Sequence, residues 1–358
     1  MKAMEVMEAR SADAIPTGER WQYEPKWDGF RCLLVRDSDK VDLYSKSGQK
    51  LDRYFPELVE SALSLPESSF ALDGEIVVPL DGQFSFDDLL QRIHPATSRV
   101  KKLAAATPAL FLAFDLLAMA ESNLSKQPLA KRRPVLEKFA ARAFAKSRLF
   151  RLSPASLKLK DARRWLASAG GGSDGVIAKR LDMPYQAGNR EGMQKIKRYR
   201  SADCVIGGFR YGENRQAGRK VIGSLLLGLY DDDGLLHHIG FSSGIKAKDK
   251  PALTEKLEAI KQARSFTGNA PGGPSRWSTK RSSEWQAVKP KYVVEVSYDH
   301  LTGGRFRHGT SIVRWRPDKK PTQCTFEQVR QKIDRGLLSK LGMDARQRKL
   351  SAERGSKR

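Results

Sequence analysis

The sequence predicts an α+β chain built from two domains and ending in a short basic tail. Three observations carry this. The 358 residues exceed what one hydrophobic core usually organises. Strand-like and helix-like runs are mixed as far as about residue 200. Beyond it, short apolar runs recur between turn signals, with one helix candidate among them.

In the first domain, Leu33-Leu34-Val35 and Val41-Asp42-Leu43-Tyr44 flank Asp37-Ser38-Asp39-Lys40, a hairpin pattern. Phe70 to Val78 reads as a strand closed by the turn residues Leu80-Asp81-Gly82. Ser85-Phe86-Asp87-Asp88 reads as a helix N-terminus ahead of Leu89 and Leu90. Leu110 to Leu117 suits a buried strand. Lys131 to Ala145, rich in Ala, Arg and Lys, reads as an exposed helix with Pro134 near its first turn. Asp161 to Ala169 reads as a short helix stopped by Gly170-Gly171-Gly172. Val176 to Lys179 and Gln194 to Tyr199 are further strands. A strand period of two puts Lys195, Lys197 and Tyr199 on one face of the last.

From about Ala202, strands are expected at Cys204 to Phe209, Ser224 to Tyr230, Leu235 to Phe241, Tyr292 to Tyr298 and Ser311 to Trp315. Asp231-Asp232-Asp233-Gly234 and Thr302-Gly303-Gly304 are hairpin turns by composition, and Thr267 to Pro274 is a loop. Pro251 to Ala263 is the helix. Several short strands with one helix suit a small Greek-key barrel of the OB type, and other small barrels fit the pattern nearly as well. Asp344 to Arg358 is basic and polar and reads as disordered.

Lys and Arg total 65 against 41 Asp and Glu, a formal charge of +24. Such a field concentrates polyanions, nucleic acid first among them. A membrane surface fits poorly, because no segment sets a basic face against a continuous Leu/Phe/Trp face. Cys32, Cys204 and Cys324 are odd in number and widely spaced, so neither a disulfide framework nor a zinc site follows. Met1 to Arg10 has no apolar run of the kind a signal peptide needs, and the chain reads as bacterial and cytoplasmic.

The chemistry starts at Glu24-Pro25-Lys26-Trp27-Asp28-Gly29-Phe30-Arg31. A lysine amine is a nucleophile once deprotonated, and a glycine nearby lets a ligand approach the backbone. Alone, Lys-x-Asp-Gly describes a surface turn more often than a nucleophile. It is followed by Asp73-Gly74-Glu75-Ile76-Val77, Phe111-Leu112-Ala113-Phe114-Asp115, Asp174-Gly175-Val176-Ile177-Ala178-Lys179 and Lys195-Ile196-Lys197. The two last lysines fit a solvated basic edge strand, or a pair aimed at a polyphosphate.

In this order the segments resemble the nucleotidyltransferase motifs of ATP-dependent DNA ligases and capping enzymes. The likeness is strongest to the short bacterial ligases of the C type, and it covers residues 20 to 335. It implies a nucleotidyltransferase (ATP-grasp-like) adenylation domain over 1–200, an OB-fold β-barrel domain over 201–340 and a tail over 341–358. It implies nick sealing in duplex DNA, with ATP and Mg²⁺ or Mn²⁺ as cofactors. The enzyme would be a nucleoid-associated monomer working in repair, with separate repair proteins as possible partners.

Carried over by position, Lys26 matches the lysine that becomes AMP-linked. Glu24 matches the acid that reads adenine, and Arg31 a phosphate-contacting arginine. Glu75 matches the carboxylate near the ribose and metal. Phe114 matches the aromatic that stacks on adenine, although simple core packing is its alternative. Asp174 matches a metal-binding acid, Lys195 and Lys197 the lysines at the α-phosphate, and Arg190 a further basic residue. Arg316-Pro317-Asp318-Lys319 resembles the motif of the OB domain that orients pyrophosphate, which brings in Arg316 and Lys319. Lys46, in Ser45-Lys46-Ser47-Gly48, stands where the family often has arginine, and lysine lacks the bidentate fork. Asp174 stands where glutamate is common, so its arm is shorter. A domain hinge is expected near Ser201 and Ala202. An RNA ligase or capping-type enzyme, and a non-catalytic basic nucleic-acid-binding protein, are the alternatives.

Overall fold

The computed structural model describes residues 5–80, 82–170, 172–216, 218–272, 284–330 and 341. The tail expected over 341–358 lies outside the described residues, Leu341 apart. The chain divides into two compact units: Met1–Arg198 with Gln331–Arg358, and Tyr199–Arg330.

The first unit contains strands β1 (Arg10–Ser11), β2 (Trp21–Trp27), β3 (Phe30–Asp37), β4 (Lys40–Ser45) and β5 (Ser69–Val77). These are followed by β6 (Pro79–Leu80), β7 (Gln83–Phe84), β8 (Leu110–Met119), β9 (Ser122–Asn123), β10 (Phe150–Leu152), β11 (Ser173–Arg180) and β12 (Met193–Lys197). Its helices are α1 (Pro56–Leu63), α2 (Phe86–Gln91), α3 (Thr97–Ala106), α4 (Leu129–Ala143) and α5 (Leu159–Ala167). Two larger sheets result, one in the order β1-β12-β11-β2 and one in the order β10-β8-β5-β3-β4, and β6 pairs with β7 apart from them. The expected hairpin forms, with Asp37 paired to Lys40. Ser85 caps α2, its hydroxyl accepting the Asp88 N–H at 3.2 Å.

Apolar alternation explains the larger sheet. Leu34, Leu43, Phe70, Leu72, Phe111 and Ala113 point into one core, where α1 adds Leu58 and α4 adds Leu136 and Phe139. A side chain of this kind contributes roughly 1.5–3 kcal/mol when fully buried. Helix α4 therefore corrects the exposed helix that composition suggested. Its apolar stripe is buried, and Arg132 and Arg133 are buried with it. Arg132 makes a bidentate pair with Asp115 at 2.9 Å through both nitrogens, which removes the cost of burying either charge alone. Pro134 lies inside the helix, past its first turn. A second correction concerns Tyr199. Strand β12 ends at Lys197, so Tyr199 is no part of its lysine face and is 65% exposed.

The second unit contains β13 (Arg200–Gln216), β14 (Arg219–Tyr230), β15 (Leu236–Ser242), α6 (Lys250–Glu258), β16 (Gln286–Ala287), β17 (Val293–Tyr298), β18 (Leu301–Thr302), β19 (Arg305–Phe306) and β20 (Ser311–Trp315). Its main sheet runs β15-β14-β13-β17-β20. The two edges meet, because Ser242 bridges to Thr310 and its hydroxyl donates to the Thr310 carbonyl at 2.7 Å. This closes the sheet into a barrel, helped by register slips along β13 that sharpen its bend. Leu225, Leu227, Phe209, Phe266 and Val294 fill it, and α6 adds Leu253 and Leu257. In the acidic turn, Asp231 Oδ1 accepts the N–H groups of Asp233 and Leu235.

The hinge is expected near Ser201 and Ala202, and the two units divide between Arg198 and Tyr199. Ser201 and Ala202 themselves are laddered to Ser297 and Val296 within β13. The residues between β12 and β13 are Arg198 and Tyr199. All three cysteines are buried and free. Among the described residues, no helix is long and apolar enough to cross a membrane.

Candidate active site

Three cross-strand rows on the smaller sheet of the first unit set out the site. Lys26 on β2, Gly175 on β11 and Lys197 on β12 form the first row. Glu24, Ile177 and Lys195 form the second, and Gln22, Lys179 and Met193 the third. The period of two that placed Lys195 and Lys197 together thus also aligns Gln22, Glu24 and Lys26. Between Ser173 and Gly175 the register slips, so Asp174 is an extra residue opposite β2. Bulges of this kind re-aim side chains. Asp174 consequently reaches Lys26 Nζ at 2.8 and 2.9 Å and lies 3.7 Å from Lys197 Nζ.

Phe114 occupies a similar slip on β8, between the pairs Asp73–Asp115 and Gly74–Ala113. It is 8% exposed, with the Arg31 guanidinium 4.7 Å and the Lys179 ammonium 4.6 Å from its ring centre. Lys179 in turn pairs with Glu24 at 2.8 Å, and Gln22 Nε2 donates to Glu24 at 2.8 Å. Glu24 is thus a fully buried carboxylate whose charge is matched by one ammonium.

Arg31 is bound tightly within the unit. Its Nε and Nη2 each donate to Asp73 at 2.6 Å, and Nη2 also donates to the Met7 carbonyl at 3.1 Å. Asp73 has no exposed surface and accepts the Tyr185 hydroxyl at 2.6 Å as well. Desolvation lowers the Arg31 pKa, but the Asp73 charge outweighs it and holds the guanidinium protonated. Burial, followed by Asp73, raises Tyr185 far above an ordinary phenol, so it remains a donor.

Glu75 is pushed up to about 8, chiefly by desolvation. Lys26 and Arg31 oppose the shift, while the Asp28 and Asp174 carboxylates add to it. Three carboxylates crowded in this way suit a divalent cation, which would remove both the desolvation cost and the mutual repulsion. Gly29 lets the strand carrying Glu75 pack close against its backbone. A Cβ there would lie 2.2 Å from the Ile76 carbonyl oxygen and 2.9 Å from Glu75 Cγ.

Cations gather on the other side. Lys195 is lowered by desolvation and then by Lys26, Lys197, Lys46 and Arg190 in turn. Lys46 and Arg190 both pair with Glu8, at 3.0 and 2.9 Å. Arg316 and Lys319 belong to the second unit. There Arg316 Nη1 pairs with Asp203 at 2.8 Å and Lys319 Nζ does so at 2.7 Å, and Arg316 also pairs with Asp318 at 2.8 Å.

The structure therefore draws Lys26, Glu75, Asp174, Lys195, Lys197, Lys46 and Arg190 into one electrostatic neighbourhood, with Glu24, Arg31 and Phe114 beside it. The sequence reading gave no role to the residues that hold these groups: Glu8, Gln22, Tyr185 and Asp203, and Asp73 and Lys179, which it quoted only within motifs. Asp73 and Lys179 carried a usable signal, since each stands two residues from a neighbour on the same strand face, Glu75 and Ile177. Tyr185, Glu8 and Asp203 are distant in sequence from their partners and carried none.

A strand-borne lysine hemmed by carboxylates and backed by further cations has the chemistry that nucleotidyl transfer needs. Comparison with known proteins narrows this. Residues 2–197 match the ATP dependent DNA ligase domain, and residues 218–319 match the ATP dependent DNA ligase C terminal region. The chain is 43% identical to DNA ligase C1 of Mycolicibacterium smegmatis, over 86% of this chain and 88% of that one. It is 38% identical to DNA ligase C of Mycobacterium tuberculosis, over 92% and 94%. A solved structure of a Lig E DNA ligase has a TM-score of 0.53 at 16% identity, covering 88% of this chain and all of that one, and shares the fold. The chain belongs to the ATP-dependent DNA ligase family, with a nucleotidyltransferase domain followed by an OB-fold domain. Its activity is DNA joining, with ATP as the cofactor.

Proposed function

We propose that this ligase seals nicks in duplex DNA through an adenylate carried on Lys26, in the service of DNA repair. The supporting observation is the first row of the sheet, which sets Lys26 and Lys197 on either side of Gly175, with Asp174 reaching both.

In the first step Lys26 Nζ forms a bond to the α-phosphorus of ATP. Pyrophosphate leaves with the bridging oxygen, and the amine loses its proton. An oxygen of a 5′-phosphate then takes the AMP, breaking the P–N bond and restoring the amine. Finally a 3′-hydroxyl attacks that activated phosphorus, gives up its proton and expels AMP. Each transfer spreads negative charge over phosphoryl oxygens, so fixed cations and in-line placement supply the catalysis. Lys195 and Lys197 supply that charge at the α-phosphate. Asp174 pairs with Lys26 in the free protein, so attack requires that this partnership be exchanged first. Glu24, held in place by Lys179 and Gln22, accepts from the amino group of adenine, and Phe114 lines the base pocket. Arg31, fixed by Asp73, presents its remaining N–H groups to phosphate. Glu75 and Asp174 would hold the Mg²⁺ or Mn²⁺, which when bound neutralises phosphate charge. Arg316 and Lys319 serve the pyrophosphate. The protein acts as a monomer in the bacterial cytoplasm.

The test is sealing of a nicked duplex with ATP, dATP, GTP and NAD⁺ in parallel, on DNA and on RNA-containing nicks. Sealing of DNA with ATP and Mg²⁺ supports the proposal. Labelling by GTP, or sealing of RNA ends alone, contradicts it.

A further inference from the structure

Helix α3 is held more firmly than its own packing explains. Of its ten residues only Val100 is buried, so the helix adds little to the core. Both of its ends are pinned nevertheless. Ahead of it, Arg53 Nη2 donates to the Pro95 carbonyl at 2.8 Å. Behind it, the Ala109 N–H donates to Glu57 Oε1 at 3.0 Å. Arg92 has no exposed surface and pairs with Glu57 at 2.8 Å. It also donates to the carbonyls of Tyr54 at 2.8 Å and Thr107 at 3.4 Å. Burying such a pair carries a desolvation cost that one apolar side chain does not offset. What the pinning fixes in space is the outer face of the helix.

On the side away from Val100, helical spacing sets Ser98, Lys102 and Ala105 in one column, flanked by Arg99 and Lys101. All five are exposed. No Asp or Glu occurs from Arg92 to Phe114, so the helix has no carboxylate of its own to match these cations. Arg53, exposed beside Pro95, adds a further one. Small residues between cations let a sugar–phosphate backbone approach closely while the cations contact it from either side. The face also continues from the Lys26 site. Phe30, which follows the turn after Lys26, meets Phe86 of α2 edge-on with ring centres 5.7 Å apart. Residues 92–96 alone separate α2 from α3. We propose that the outer face of α3, with Arg53 beside it, holds the sugar–phosphate backbone of the duplex arm flanking the nick, and does so without reading its sequence. The proposal rests on the reading of the Lys26 site above, since that reading places the nick there.

The experiment measures binding of a nicked duplex across a salt series by the full-length wild type, by Lys102→Gln, and by the triple variant Arg99→Gln, Lys101→Gln and Lys102→Gln. A control triple variant, Lys131→Gln, Lys138→Gln and Lys146→Gln, removes three exposed cations on or just beyond α4 and so lowers the overall field by the same amount. Each lost phosphate contact lowers the slope of log affinity against log salt by about 0.9. Lys102→Gln is expected to lower it by about 1 and the α3 triple by about 2–3, with affinity at about 0.1 M salt down at least about tenfold. The control triple is expected to change the slope by less than about 1. Trimming the duplex on one side of the nick from about two helical turns to about half a turn should abolish the difference between wild type and the α3 triple, and trimming the other side should preserve it. An unchanged slope, an equal loss in the control triple, or a loss that survives trimming of both sides overturns the proposal. Self-labelling by ATP is measured on the same preparations. If the wild type takes no label, the reading of Lys26 has failed, and the salt slopes still decide the role of α3.

Discussion

Replacing Arg31 by Met should destabilise the first unit by about 3 kcal/mol, because it strands a fully buried carboxylate. Asp73 has no exposed surface and accepts two charge-assisted hydrogen bonds from Arg31, each at 2.6 Å. The Tyr185 hydroxyl alone would then face that charge. Breaking a buried pair from one side costs about 3–5 kcal/mol, and the 21% exposure of the Arg31 side chain argues for the lower end. Tyr185→Phe removes one hydrogen bond to a charged group and should cost about 1.5–2 kcal/mol. The double variant Arg31→Met with Asp73→Leu removes both charges together and should cost less than Arg31→Met alone, since no buried ion is left unpaired. The assay is urea unfolding of wild type, Arg31→Met, Asp73→Leu and the double variant, with stability taken from midpoint and slope. The four values give the coupling energy, expected at about 3 kcal/mol in favour of the pair. Additive effects, or a cost below about 1 kcal/mol for Arg31→Met, would refute the view that Asp73 is an ion held only by this arginine and Tyr185.

Two further expectations concern other buried groups. Lys179→Met leaves Glu24 buried without its ammonium, so the KM for ATP should rise at least about tenfold (1.4 kcal/mol) while label yield at saturation stays near wild type; an unchanged KM would exclude Lys179 from the base pocket. His238 in the second unit is lowered to about 3, first by burial and then by Arg305 and Arg210. Its folded pKa lies below the unfolded value, so its contribution is complete above about pH 6.5 and is lost as pH falls toward 3. Between pH 7 and pH 4.5 this amounts to about 2–3 kcal/mol. His238→Asn should flatten that part of the pH–stability curve, and parallel curves for the two proteins would count against it.

Much of the fold could be read from periodicity. The hairpin of β3 and β4, the strands β5 and β8 and the cap at Ser85 are local features with local signals. Helices α1 and α3 were missed. Helix α1 turns Leu58, Val59 and Ala62 to the core but is only eight residues long, too short for its period to stand out, and Thr97 to Ala106 carries one buried residue, Val100. Strand β13 runs through 17 residues, but Gly207-Gly208 and the charged Asp203 and Arg210 break its pattern, so only its apolar middle was legible. The exposed reading of α4 failed because arginines count as surface residues by composition, whereas Arg132 is buried against Asp115.

At the site, residue identity and order pointed to Lys26, Asp174 and Lys197, and the strand period gave the shared face. The bulges at Asp174 and Phe114 were not legible, since they arise from how neighbouring strands register. Nor were the ion pairs of Arg31 with Asp73, of Arg316 with Asp203 and of Glu8 with Lys46 and Arg190, each of which joins segments far apart in the chain.

The central claim is that the Lys26 amine carries the nucleotide. Intact-mass analysis followed by peptide mapping, after incubation with ATP and Mg²⁺, tests it most directly. One adenylate on the peptide containing Lys26, discharged by a 5′-phosphorylated nick and absent from Lys26→Ala, is the predicted result. An adenylate on any other residue, or an unmodified wild-type protein that still seals DNA, would contradict it.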